Sequence, residues 1–180
     1  MSMRRLPEGY SISGVAADEI ADLIAIDLAA SQLFAGTGML PDEELLEHVP
    51  ADVFETSMPG GHLFLARDRK GLPAGFVLTS LRGDTLYLDQ VSVHPEHGRR
   101  GLGAALIRRV FQDAKDRRLK TVTLSTFRDL PWNAPFYRTL GFRELPRNQI
   151  TDWMLEIEAR QAAVMDVTKR CFMRRKSGWL

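Results

Sequence analysis

Residues 91–106, Val-Ser-Val-His-Pro-Glu-His-Gly-Arg-Arg-Gly-Leu-Gly-Ala-Ala-Leu, carry the densest chemical signal in the chain. A strand-like stretch runs into a glycine-rich turn, and the turn opens an amphipathic helix. Backbone N–H groups in such a turn and in the first helical turn have no intrahelical partner. They point at one place, and the helix dipole makes that place positive. This is a site for a phosphate or pyrophosphate. Gly101 and Gly103 let the backbone approach a ligand without a Cβ in the way. Arg99 and Arg100 add charge at the rim. Two other phosphate loops are excluded by spacing. A dinucleotide turn needs a third glycine where Leu106 stands, and a P-loop needs Gly-Lys-Ser/Thr where Gly103-Ala104-Ala105 stand. The competing reading is that the glycines only cap a strand–helix junction.

The elements around this turn read as one α/β unit. Tyr10 to Gly14 alternates as a first strand. Asp18 is placed to cap a helix whose apolar positions Ile20, Leu23, Ile24, Ile26 and Leu28 run to about Phe34. Gly36-Thr37-Gly38 breaks it, and Pro41-Asp42 opens a second helical stretch with Leu45, Leu46 and Val49 as its apolar side. Strands follow at 62–67, 73–82 and 85–94, the first two joined by the polar turn Asp68-Arg69-Lys70-Gly71. The helix after the turn has the stripe Leu102, Ala105, Leu106, Val110 and Phe111. Residues 120–127 are a β-branched strand. Asp129-Leu130-Pro131 starts a short helix that stops at Gly141. A strand at 142–145, a helix from about 150 to 163 and a last strand at 168–174 complete the chain. The order β-α-α-β-β-β-α-β-α-β-α-β predicts a mixed α/β fold with helices on the faces of the sheet.

The stretch Val93-x-Pro95-x-x-x-x-Arg100-Gly101-x-Gly103 between strand and helix resembles the signature of the GNAT superfamily of N-acetyltransferases. Tyr137-x-x-x-Gly141-Phe142, ending a helix that follows Asn133, is similar to that family's second hallmark. The resemblance spans roughly residues 8 to 175. One departure is that Gly98 stands where the family usually has Arg or Gln, with Arg99 beside it. The resemblance implies a single domain over residues 1–180, with flexible ends at 1–7 and 176–180. It also implies a mostly antiparallel central sheet of about seven strands, splayed between strands 85–94 and 120–127. Acetyl-CoA would lie in that wedge. The backbone edge at Val91, Ser92 and Val93 would bond pantetheine. N–H groups of Arg99, Arg100, Gly101, Leu102, Gly103 and Ala104 would hold the pyrophosphate. Asn133 is a further contact to pantetheine or substrate, or else a helix-start residue.

The implied reaction moves an acetyl group to a primary amine of a small molecule, peptide or protein. A lysine-like amine has a pKa of about 10.4, so a base must take its proton before attack. Asp89 stands on the strand where many relatives carry Glu, and is the candidate base. A structural hydrogen-bonding role is the alternative. Regular alternation puts Asp89 on the face of Val91 and Val93, and a bulge would swap that assignment. Tyr137 is the candidate general acid for the CoA thiolate, against the reading of a packed aromatic. The N–H near Val91 is the candidate oxyanion donor. Helix-start and solvent-facing roles suit His94 and His97. Asp129 reads as a cap, and Trp132 as core or as pocket lining. Phe34, Met39 and Phe54 read as packing of the first two helices, with a place on the variable acceptor side as the alternative. Arg170, Arg174, Arg175 and Lys176 read as a strand end and a solvated tail. A non-catalytic acyl-CoA sensor or interaction module on the same scaffold is the alternative function, although it would need neither Tyr137 nor Asp89.

Bulk composition narrows the rest. The 180 residues, 44% hydrophobic and 26% charged, suit one domain with its own core. A net charge of +1 gives no reason to expect nucleic acid or membrane as partner. The single cysteine, Cys171, excludes an internal disulfide and a multi-cysteine zinc site. No metal is expected. Met1-Ser2-Met3-Arg4-Arg5 is basic but has no apolar run after it, so no secretory signal is read there and a cytoplasmic protein is expected. A homodimer through the last strand is conceivable.

Overall fold

The computed structural model describes residues 6–178, so Met1 to Arg5 lie outside the described residues. Seven strands form one sheet: β1 (Ser11–Ser13), β2 (Leu63–Arg67), β3 (Pro73–Arg82), β4 (Thr85–Val93), β5 (Thr121–Phe127), β6 (Arg143–Glu144) and β7 (Arg170–Lys176). Their order is β1-β2-β3-β4-β5-β7-β6. Every neighbouring pair is antiparallel except β4 and β5, which run parallel. The expected mixed, mostly antiparallel sheet is therefore present.

Among the described residues five α-helices flank it: α1 (Ile20–Ser31), α2 (Ala51–Ser57), α3 (Leu102–Asp116), α4 (Ala134–Thr139) and α5 (Asp152–Ala162). One face is covered by α3 and α4. There Leu102, Leu106, Ile107 and Val110 pack with Val77, Leu86, Leu88, Val122, Leu124 and Met173. On the other face Leu23, Ile26 and Phe54 of α1 and α2 pack on Leu63, Leu65, Phe76 and Leu78. Farther along that face Met154 and Ile157 of α5 cover Tyr87 and Phe172. Burying each such side chain contributes about 1.5–3 kcal/mol, so the alternating strands are fixed in register by both layers.

Several expected boundaries move for physical reasons. Asp18 does not cap α1; the lead-in at 17–19 is closed by Glu19, whose carboxylate accepts from Ala16 N–H at 2.9 Å. The stretch opened by Pro41 is only a 3-10 segment, Asp42–Leu46, and Leu46 is 73% exposed. The true second helix starts after Pro50, which ends the preceding stretch and supplies a fixed φ at the new start. The helix expected from Asp129 begins at Ala134. The last strand reaches Lys176, which pairs with Thr121, so the chain is still in the sheet where a tail was expected.

The β4–β5 pairing is short. It covers only Thr85–Leu88 against Thr121–Leu124. Beyond it, β4 stays bonded to β3 and β5 to β7, and the facing edges of residues 89–93 and 125–127 have no strand partner. The sheet is thus splayed in its middle, at the C-terminal ends of its two parallel strands.

Candidate active site

The turn after β4 is built to keep its amides free. His94 accepts from Glu96 N–H at 3.3 Å and starts the 3-10 segment Pro95–His97. Arg99 has φ 59° and Gly101 φ 86°, so the backbone twice enters the left-handed region. Glycine takes that conformation at no cost, whereas an arginine there is uncommon. The first bond closing α3 runs from Ala105 N–H to Gly101 O, at 3.0 Å. The six preceding N–H groups, Arg99 to Ala104, donate to no acceptor among the described residues. The turn is braced from β1's side: Arg100 donates to Tyr10 Oη at 3.2 Å, which also contacts His97 Nδ1 at 2.9 Å. A Cβ on Gly103 would lie at an ordinary contact distance of 3.9 Å from Phe136 and Val93, so neither packing nor backbone conformation demands glycine there. Free amides and positive dipole fit a diphosphate.

On β4 the register slips between Leu78 and Thr79, which face Gln90 and Leu88. Asp89 is the extra residue of a β-bulge. Regular alternation therefore fails here. Val91 and Val93 join the core beneath α3, while Gln90 and Ser92 turn to the α1 face. Asp89 sits beside Ser80, Arg82 and Arg160, on the face away from Val91. His94 N–H bonds Ala74 O of the β3 side. Alternation then turns the Ser92 backbone to β3 as well, and leaves Val91 and Val93 on the open edge. Ser92 spends its hydroxyl on Asp27 at 2.7 Å, so the structure does not present it to the wedge.

Asp89 is exposed, yet protein groups crowd its carboxyl. Poor hydration of the anion pushes its pKa up to about 6, and Ser80, Arg82 and Arg160 offset this only in part. Ser80 points toward the carboxyl without closing a hydrogen bond of good geometry. Tyr137 is 7% exposed, and burial raises its phenol above the ordinary range. Its Oη has no hydrogen-bond partner among the described residues, and Phe136 and Phe142 fix its ring at 5.4 and 5.7 Å. Asn133 does not cap α4. It accepts from Thr126 Oγ1 at 2.6 Å, on the splayed part of β5, and keeps its amide nitrogen free.

Sequence reading missed Asp27. Only 2% exposed, it accepts from Gln90 at 2.7 Å, Ser92 at 2.7 Å and Val49 N–H at 2.9 Å. One carboxylate thus joins α1, β4 and the segment before α2. Its signal was a charge at the i+7 position of the apolar stripe that starts at Ile20. The basic C-terminal residues also need correcting. Arg174 bonds Gln149, Arg175 bonds Leu140 O, and Arg170 is turned inward over Phe127; only the end of the strand is solvated. Phe34 does not pack between the first helices. It meets Phe127 at 5.7 Å and Trp132, 40% exposed, at 6.1 Å. Phe54 is fully buried against Phe76 as expected.

The sequence pattern of the Acetyltransferase (GNAT) family matches residues 28–142. The chain belongs to the GNAT family. That span takes in the bulge, the amide-rich turn and Tyr137 together. A mycothiol acetyltransferase from Clavibacter michiganensis subsp. michiganensis is 30% identical over 144 residues, which is 78% of this GNAT chain and 45% of the relative. The chain thus spans about half the length of the curated relatives it matches. Solved structures of the same fold include the ribosomal-protein-S18-alanine N-acetyltransferase of Escherichia coli. Its TM-score is 0.66 at 18% identity, with 95% of this chain and 96% of that one covered. The PaiA N-acetyltransferase of Thermoplasma acidophilum, solved with coenzyme A, has a TM-score of 0.68 at 14% identity, covering 93% and 98%.

Proposed function

We propose that this chain is an N-acetyltransferase that moves the acetyl group of acetyl-CoA to a primary amine of a small molecule, peptide or protein. The observation that carries the proposal is the row of six unpartnered amides, Arg99 to Ala104, at the mouth of a splayed sheet. These amides would hold the pyrophosphate. The open backbone edge at Val91 and Val93 would pair with pantetheine, and the free amide of Asn133 lies on the opposite lip. Bound there, acetyl-CoA supplies an activated thioester.

The chain's own groups then have separate tasks. Asp89 takes a proton from the incoming ammonium, directly or through water, since a carboxylate with a pKa near 6 is ionised at neutral pH yet basic enough to accept. The Val91 N–H stabilises charge at the acetyl oxygen. Tyr137, held protonated by burial, donates toward the departing sulfur. One chain carries every residue named, within one acetyltransferase domain. β7 pairs with β5 along its length on one side, while on the other side, the one a dimer would use, only Met173 and Arg174 pair with β6. No described helix is long and apolar enough to cross a membrane. The buried thiol of Cys171 suits a reducing compartment, and we place the protein in the cytoplasm.

Calorimetry with CoA and a panel assay for CoA thiol release from acetyl-CoA test the reading. Binding with release on at least one amine is expected, and Tyr137→Phe should lower kcat by about tenfold to a hundredfold while CoA affinity stays within about twofold. Absence of CoA binding would end the proposal.

A further inference from the structure

Arg170 stands out among the charged groups. Its guanidinium lies 4.6 Å over the Phe127 ring, half-buried, and desolvation lowers its pKa from the ordinary value. Among the described residues no carboxylate stands within ion-pair distance of it. By contrast its neighbours Arg128 and Arg147 are neutralised by Glu144 and Glu158, at 3.1 and 2.6 Å. Arg170 donates only to neutral oxygens: Nε to Gln161 at 3.1 Å and to Ser125 Oγ at 3.3 Å, and Nη2 to the Ser125 carbonyl at 3.0 Å and to Ser125 Oγ at 3.3 Å. Nη1 has no hydrogen-bond partner among the described residues. A cavity of about 210 Å³ opens between β5, β7 and α5, with Arg170, Ser125 and Gln161 in its wall.

A cation withdrawn from water without a counter-ion is costly, and such groups are normally paired. This one lies on the same face as Asp89. Its charge reaches the hydroxyls of both Tyr87 and Tyr137, and Tyr87 also feels Asp89. β5 lies between β4 and β7, and Arg170 stands opposite Phe127 where β4 and β5 have parted, so Asp89 and Arg170 flank the splayed gap with more than about 10 Å between their backbones, which a long arginine side chain shortens. A base for an amine and an unpaired cation therefore stand on the same face, on either side of the splayed gap. The aromatic row Phe127, Phe34 and Trp132 borders the space beside them.

We infer that Arg170 selects the acceptor: it pairs with a carboxylate on a small amine whose nitrogen is presented to Asp89. Nη2 is spent on Ser125, and the two hydrogens of Nη1 are left to donate to a carboxylate. One negative charge balances the Arg170 cation, whereas a phosphate dianion would leave an excess beside Glu144 and Glu158. The inference rests on the acetyltransferase reading and names the class of its acceptor.

Product binding tests it without requiring turnover. The CoA-loaded protein is titrated calorimetrically with the N-acetyl derivatives of glycine, L-methionine, L-phenylalanine and 4-aminobutyrate, each against its uncharged amide. N-acetyl-O-phosphoethanolamine forms a separate arm. At least one carboxylate is expected to bind about tenfold or more tightly than its amide. Arg170→Gln should erase that difference, and Arg170→Lys should restore part of it. Equal affinities within every pair overturn the inference, as do carboxylates that all fail to bind below about 10 mM, or a phosphate preferred over every carboxylate. The matched pairs decide the question in the wild-type protein even if the variants fail to fold. Failure of CoA itself to bind would instead remove the acetyltransferase reading.

Discussion

The two sides of the splayed sheet solve different problems with different materials. The proposed cofactor side is mostly backbone: amides from Arg99 to Ala104 and the open edge at Val91 and Val93. The proposed acceptor side is side chains drawn from far apart in the chain, with Asp89 on β4, Arg170 on β7, Gln161 on α5 and Phe34 after α1. A backbone site tolerates many side chains and depends on conformation. A side-chain site depends on identity and can be rewritten by substitution. The cofactor half should accordingly resist alanine scanning except at its positive-φ glycine, and the acceptor half should not.

The sharpest break of that contrast is at Asp89. Asp89→Asn is expected to lower kcat/KM by roughly 10²- to 10⁴-fold. In the wild type the base must be ionised, so activity should rise with pH through about 6 and fall away below it. That acid limb should vanish in the variant, and a limb that survives unchanged assigns the base elsewhere. Next in size is Asp27, which belongs to neither side but joins them. Asp27→Ala strands Gln90, Ser92 and Val49 N–H without their acceptor and should cost about 3 kcal/mol in urea denaturation. A loss below about 1 kcal/mol would mean that water replaces the carboxylate. The smallest effects separate backbone from side chain within the turn itself. Gly101→Ala meets no atom within 4 Å, so only the φ of 86° opposes it, and about 1–2 kcal/mol of CoA affinity should be lost. Arg99→Ala should cost a few tenths of a kcal/mol at moderate salt. Equal losses in the two variants would make the turn a side-chain site after all.

This division explains what could be read beforehand. The cofactor half is local in sequence: strand, glycine turn and helix follow one another within about sixteen residues, and period and punctuation identify each. Strands β2 to β5 were placed to within a residue or so for the same reason, since both faces of each are fixed by alternation. The acceptor half is assembled by tertiary contact. Arg170 looked like part of a basic tail because nothing near it in sequence reports that Phe127 and Gln161 lie beneath it. Leu46 looked apolar and therefore buried, but Pro50 restarts the chain and leaves Leu46 outside. Asp27 was legible in principle, as a charge where an apolar stripe demanded a hydrocarbon. Asp89 was readable as a residue but not as a direction, because one extra residue in a strand leaves no mark on composition.

That extra residue has a wider effect. From Gln90 onward, β4 is out of phase with the first half of the strand, and every later side chain depends on the offset. Removing a single position there, with all chemistry otherwise intact, would exchange odd for even. Val91 and Val93 would turn to the polar pocket of Asp27, and Gln90 and Ser92 would enter hydrocarbon beneath α3. No point substitution can mimic or repair such a parity change, so the length of this strand is under tighter constraint than any one of its letters.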